Sequence, residues 1–179
     1  MRLPWGGMPP LINLKSETRK KNWLKSYSIA YLERDLGDLA NLTSSLVKTP
    51  KLYWVDNGLL RHISGIGYEV ITGELFENYI ASEMMKYLRT INSDARLSFY
   101  RTRSGMEIDF ILETPNGLLA IEAKNRESVI NKDFSAIRKV LQTTQQNWLG
   151  GIVIYRGNKL IKIDENLWAI PSCRFFSGY

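Results

Sequence analysis

Residues 97–124 constrain this chain more than any other stretch, because three short apolar runs, LSFYRTR (97–103), MEIDFILE (106–113) and GLLAIEAK (117–124), are broken by Ser104-Gly105 and Pro115-Asn116-Gly117. Glycine, proline and asparagine between such runs are turn signals, so the segment reads as three sequential strands. Side chains alternate across a strand, which puts Glu122 and Lys124 on one face and Ala123 on the other. Asp109 sits inside an apolar run between Ile108 and Phe110, where an unpartnered carboxylate is costly to bury. If the neighbouring strand aligns Asp109 with Glu122, two carboxylates can hold a Mg²⁺ ion through oxygen, with positions left for water and a phosphate oxygen. Lys124 would then orient the attacking water and offset charge building on the phosphate, the outline of a metal-dependent phosphodiesterase. The competing reading of Glu-x-Lys is a solvated charge pair on an exposed strand. Against it stands Leu118-Leu119-Ala120-Ile121, which marks a buried strand ending in the two charges, and open α/β sheets carry their sites at strand ends.

The flanking segments complete a pattern. Residues 72–91 place Phe76, Tyr79, Ile80, Met84, Tyr87 and Leu88 at helical spacing, with Glu77 beside the apolar stripe and the small Ala81 one turn on. Glu77 is then a third acid within reach of the site, or an ordinary carboxylate favoured by the helix dipole. A second helix is expected over about 131–147, a strand over 150–157, and a terminal hairpin from NKLIKID and LWAIP. The predicted order is helix, three strands, helix, strand.

These residues in this order resemble the PD-(D/E)xK nuclease superfamily, whose motif is an acid on the first helix, an Asp, and then Glu-x-Lys. More narrowly, KTPKLYWVDNGLL (48–60), GELFENYIASE (73–83), FYRTRSGMEIDFILE (99–113) and AIEAK (120–124) are similar to the C-terminal domain of unknown function carried by prokaryotic AAA-type ATPases. The resemblance implies an α/β, restriction-endonuclease-like αβββαβ core with a mixed sheet flanked by helices. It also implies Glu77, Asp109 and Glu122 at a Mg²⁺ ion, which Mn²⁺ can replace, with Lys124 as the fourth catalytic residue and DNA as substrate. The rival expectation is a noncatalytic DNA-binding or protein-interaction module, a remnant of an ATPase.

GGMPPLI (6–12) and NWLKSYSIAYLERDLGDLANL (22–42) are similar to the segment that follows the ATPase module in those proteins. No Gly-x-x-x-x-Gly-Lys-Ser/Thr stretch is present, so these 179 residues hold no ATP site. Only Asn41 to Pro50 stand where such ATPases carry a helical module, and the chain reads as a truncated relative, which leaves an ATPase partner in question. The expected division is an extended and helical appendage over 1–50 and a nuclease-like domain over 51–179. Residues 1–15 are rich in Pro and Gly and are expected to be extended. From Ser16 as N-cap, Trp23, Leu24, Tyr27, Leu32, Leu36, Leu39 and Leu42 predict helix, whose stripe packs on the core or on a second copy in a homodimer.

Charge bears on the partner. The formal net charge is +6, of which residues 1–50 carry +4 and residues 51–179 only +2. Lys20, Lys21 and Lys25, with Arg19, are candidate phosphate contacts on the N-terminal helix, and Arg101, Arg103 and Arg126 are candidates around the core. A solvated basic helix face is the plain alternative. A single His62 argues against a histidine triad or a zinc centre, and a lone Cys173 against a disulfide or thiolate cluster. No apolar run reaches the ~18 residues that cross a bilayer and the first residues lack a signal-peptide core, so a cytoplasmic location with no membrane partner is expected. Trp23, Trp54, Trp148 and Trp168 read as packing residues.

Overall fold

The computed structural model describes residues 8–27, 52–102, 106–143 and 145–177. The chain forms two compact units that divide between Ile71 and Thr72.

The first unit begins with a short helix, α1 (Pro9–Asn13), where an extended segment was expected. Proline explains the difference, since at a helix start its missing N–H costs nothing and its fixed φ is already helical. Residues 17–27 form α2, entered through Ser16, whose Oγ accepts from the Arg19 N–H at 3.5 Å. Helix α3 (Asn57–Ile63) is capped by Asp56, which accepts from the Leu59 N–H at 2.9 Å. Leu11, Leu24 and Leu59 are buried together, with Trp23, Tyr27 and Trp54 packed against them. Leu24, Trp23 and Tyr27 of the predicted stripe therefore find cover inside this unit. The rest of the predicted helix, Leu32 to Leu42, lies outside the described residues.

The second unit opens with α4 (Gly73–Thr90), capped by Thr72, whose hydroxyl accepts from the Leu75 N–H at 3.2 Å. Its buried face runs through Phe76, Ile80, Ala81 and Met84, the spacing predicted, whereas Tyr87 is exposed. Strands β1 (Arg96–Arg101), β2 (Glu107–Thr114) and β3 (Gly117–Lys124) follow as an antiparallel meander. The predicted second helix begins as a 3-10 turn (Asn131–Phe134) and continues as α5 (Ser135–Thr143), shorter than expected because β4 (Trp148–Tyr155) starts two residues early. The terminal hairpin is β5 (Ile161–Asp164) and β6 (Leu167–Pro171), followed by α6 (Ser172–Phe175). The six strands lie in the order β1-β2-β3-β4-β6-β5. Strand β3 is interior, antiparallel to β2 and parallel to β4, so the sheet is mixed.

On one face Ile137 and Val140 of α5 pack with Phe134, Ile111, Ala120 and Val153. Gly151 permits that approach, since a Cβ there would collide with the Ile137 methyl. Phe110 and Ile121, which sit opposite each other and point to the other face, are as deeply buried. Helix α4 contacts β3 and adds nothing to the α5 core, so it covers that second face. Trp148 packs on the α5 core, as Trp23 and Trp54 do on that of the first unit, while the Trp168 ring lies under the Lys162 amine. No described helix is long and apolar enough to cross a membrane.

Candidate active site

The β2–β3 ladder starts at the turn, Thr114 opposite Gly117, and its pairing ends at Phe110 opposite Ile121. Asp109 and Glu122 are the next residues on each strand. Continuing the register by one step sets them opposite each other, on the face that carries Ile111 and Ala120. There the Asp109 carboxylate takes the place of a main-chain partner, its Oδ2 accepting from the Ala123 N–H at 3.0 Å. The strands part at this point, and the gap is a cleft of about 490 Å³ lined by Glu107, Asp109, Glu122, Lys124, Arg126 and Asp133, with Ile130, Lys132, Ser135 and Ala136 from the segment leading into α5.

Glu122 is 5% exposed, and its Oε2 lies 2.5 Å from the Lys124 Nζ. Burial, and then the charge of Asp109 beside it, push the Glu122 carboxyl up to about 7, against the pull of Lys124. Burial acts on the Lys124 amine in the opposite sense, but Glu122, Asp109 and Asp133 outweigh it and the amine is raised. A buried carboxyl held against a like charge is the arrangement a divalent cation relieves. Among the described residues no three Asp, Glu, His or Cys side chains converge as a metal-binding group. The oxygens that a cation would meet here are those of two carboxylates, Asp109 and Glu122, and the rest of its shell would have to come from water or substrate.

Of the residues singled out from sequence, Asp109, Glu122, Lys124 and Arg126 come together here. Glu77 does not line the cleft. It stands half-buried on α4, which covers the other face of the sheet. Arg101 is drawn into an ion pair with Glu107, its partner across β1 and β2. Arg103 lies outside the described residues. In the first unit Lys20 is half-buried, Lys21 and Lys25 are exposed, and the Lys21 amine sits 5.4 Å from the centre of the Tyr68 ring. Two acids of the cleft were not singled out in the sequence. Glu107 was open to discovery, because the two-residue period puts it on the Asp109 face. Asp133 reaches the cleft only through the packing of the β3-to-β4 crossover, which leaves no local mark.

Residues 72–175, more than half of the chain, match the family model described as Domain of unknown function (DUF4143), a domain often found with AAA ATPases. No curated protein matches the chain.

Proposed function

We propose that this chain, which belongs to the DUF4143 family, is a Mg²⁺-dependent nuclease-like protein of the PD-(D/E)xK kind that hydrolyses phosphodiester bonds in DNA. The observation that carries the reading is the parting of β2 and β3 at Asp109 and Glu122, with the Lys124 amine 2.5 Å from Glu122. The order of α4, β1, β2, β3, α5 and β4, with β3 interior, agrees with the restriction-endonuclease-like core. Asp109 and Glu122 would hold the metal, which when bound supplies a Lewis acid for the phosphate and a more acidic water. Lys124 holds the attacking water by its lone pair and offsets the charge that grows on the phosphate oxygens. As the water oxygen forms its bond to phosphorus, one P–O ester bond breaks, the water gives up a proton to solvent, and the leaving oxygen takes one from solvent. The Asp109 carboxylate is itself fixed by the Ala123 N–H, so its orientation precedes metal binding.

A second reading, a noncatalytic DNA-binding or protein-interaction module, is favoured by the direct Glu122–Lys124 pair, which neutralises both groups without a metal. Incubation of the protein with linear, flapped and branched DNA in Mg²⁺ or Mn²⁺ separates the two. The nuclease reading expects cleavage that EDTA stops and Asp109→Asn abolishes. Absence of cleavage on every substrate with both metals favours the module, and cleavage undiminished in Asp109→Asn sinks the site.

A further inference from the structure

We propose that Arg126 is the residue that binds a phosphate oxygen of the DNA at this cleft, and that the buried Asp133 is the positioning residue that holds it there; the proposal rests on the reading of the cleft as a phosphodiesterase site. Arg126 lies two residues beyond Lys124, past the end of β3, and its root is fixed on both sides. Its N–H donates to the Lys124 carbonyl at 2.8 Å, and its carbonyl accepts from the Arg156 N–H at 2.9 Å. The Arg156 Nη1 in turn donates to Asn125 Oδ1 at 3.1 Å, which ties down the residue between. The side chain ends at the cleft, 45% exposed, with its Nη1 3.3 Å from Asp133 Oδ1.

Asp133 is unlike a surface partner. Its side chain is 5% exposed, and its second oxygen accepts from the Ile130 N–H at 2.8 Å, so the carboxylate has little freedom to follow a moving arginine. A guanidinium carries five N–H donors in a rigid fork, and one nitrogen at Asp133 leaves others for an oxyanion.

Charge gives the arginine its task. The cleft is lined by four carboxylates, Glu107, Asp109, Glu122 and Asp133, and by three cations, Lys124, Arg126 and Lys132, while Arg101 pairs with Glu107 from β1, so the charges there formally cancel. A phosphodiester gains nothing from a neutral cleft as a whole, so its attraction depends on a cation whose donors face the opening, and a bound divalent cation would add to it. Lys124 is engaged by Glu122 at 2.5 Å, which leaves Arg126 as the anchored cation that faces the cleft with donors to spare.

The test is equilibrium binding of a short DNA duplex in Ca²⁺, read by fluorescence anisotropy across a salt series. Arg126→Ala is expected to weaken binding about tenfold, the loss of one charge-assisted contact, and to lower the salt slope by about one. Arg126→Lys should restore the slope but not the affinity, since an ammonium lacks the fork. Asp133→Asn keeps an acceptor for the Ile130 N–H, and circular dichroism and melting confirm that it folds. With Arg126 present it should weaken binding about threefold. With Ala at position 126 the same substitution should leave binding equal or tighter, because only a repulsive charge has been removed. Unchanged binding in Arg126→Ala, full affinity in Arg126→Lys, or tighter binding on Asp133→Asn in both backgrounds overturns the proposal. A wild type that binds DNA without cleaving it overturns the nuclease reading and leaves Arg126 to be judged on these binding results. A wild type that cleaves, with an indifferent Arg126→Ala, removes this inference alone.

Discussion

Burial of Glu122 beside Asp109 makes the stability of the protein depend on pH. The folded Glu122 carboxyl titrates at about 7, above the value of 4.5 it takes when unperturbed. The folded protein therefore holds a proton through that window which the unfolded chain has released. Stability contributed by this group is fully present below about pH 4.5 and is lost as the pH rises through 7, the reverse of an ordinary ion-paired carboxylate. At about 1.4 kcal/mol for each unit of difference, the metal-free protein loses on the order of 3 kcal/mol between pH 4.5 and pH 8 through this one group. The assay is urea unfolding in EDTA at half-unit steps of pH, for wild type and for Glu122→Gln, which cannot titrate. The quantity of interest is the difference between the two curves, in which carboxylates remote from Glu122 cancel, leaving Glu122 and the groups it touches. The account expects wild type to fall relative to Glu122→Gln as the pH rises. Saturating Mg²⁺ should reverse the fall, since a ligand at a hundred times its Kd adds about 2.7 kcal/mol to the folded state. Parallel curves across the window would refute the argument that burial and Asp109 dominate over Lys124.

Lys124→Ala should lower the rate of DNA cleavage by at least about a hundredfold while Mn²⁺ binding, followed by calorimetry, persists, because the amine acts on water and phosphate rather than on the ion. Gly151→Ala should cost about 1–3 kcal/mol in chemical denaturation, because the new methyl meets the Ile137 side chain where α5 crosses β4; a neutral result would mean that α5 lies farther from the sheet. Replacing Lys20, Lys21 and Lys25 together by Ala should weaken DNA binding and lower its salt slope by up to about three. Substitution is the sharper tool than deletion here, because Leu24 on the same helix is fully buried and its removal would disrupt the unit. An unaltered slope assigns that helix to packing alone.

Much of the sheet was readable because its punctuation is local. Pro115-Asn116-Gly117 marks the β2–β3 turn, where Gly117 takes a φ of +140°, and Leu118 to Ile121 has the continuous apolarity of a strand covered on both faces. The alignment of Asp109 with Glu122, a condition when read from sequence, is one step beyond the last observed pair, Phe110 opposite Ile121, in the register that this turn sets. What failed to show was non-local. Glu77 sits at the right helical offset to reach a site, but which face of the sheet α4 covers is settled by packing. Asp133 reaches the cleft through the crossover into α5, which no spacing encodes. In the first unit, Pro9 and Pro10 read as extended chain and instead start a helix, because proline suits a first turn as well as a coil.

The most direct measurement is a crystal structure of the protein soaked in Mn²⁺, alongside Asp109→Asn treated identically. The account predicts one metal bonded to oxygens of both Asp109 and Glu122 at about 2.0–2.3 Å, with the Lys124 amine withdrawn from Glu122 toward a metal-bound water, and no metal in the variant. Density without a metal in the wild type, the Glu122–Lys124 pair still closed at full Mn²⁺ occupancy elsewhere in the crystal, would contradict it.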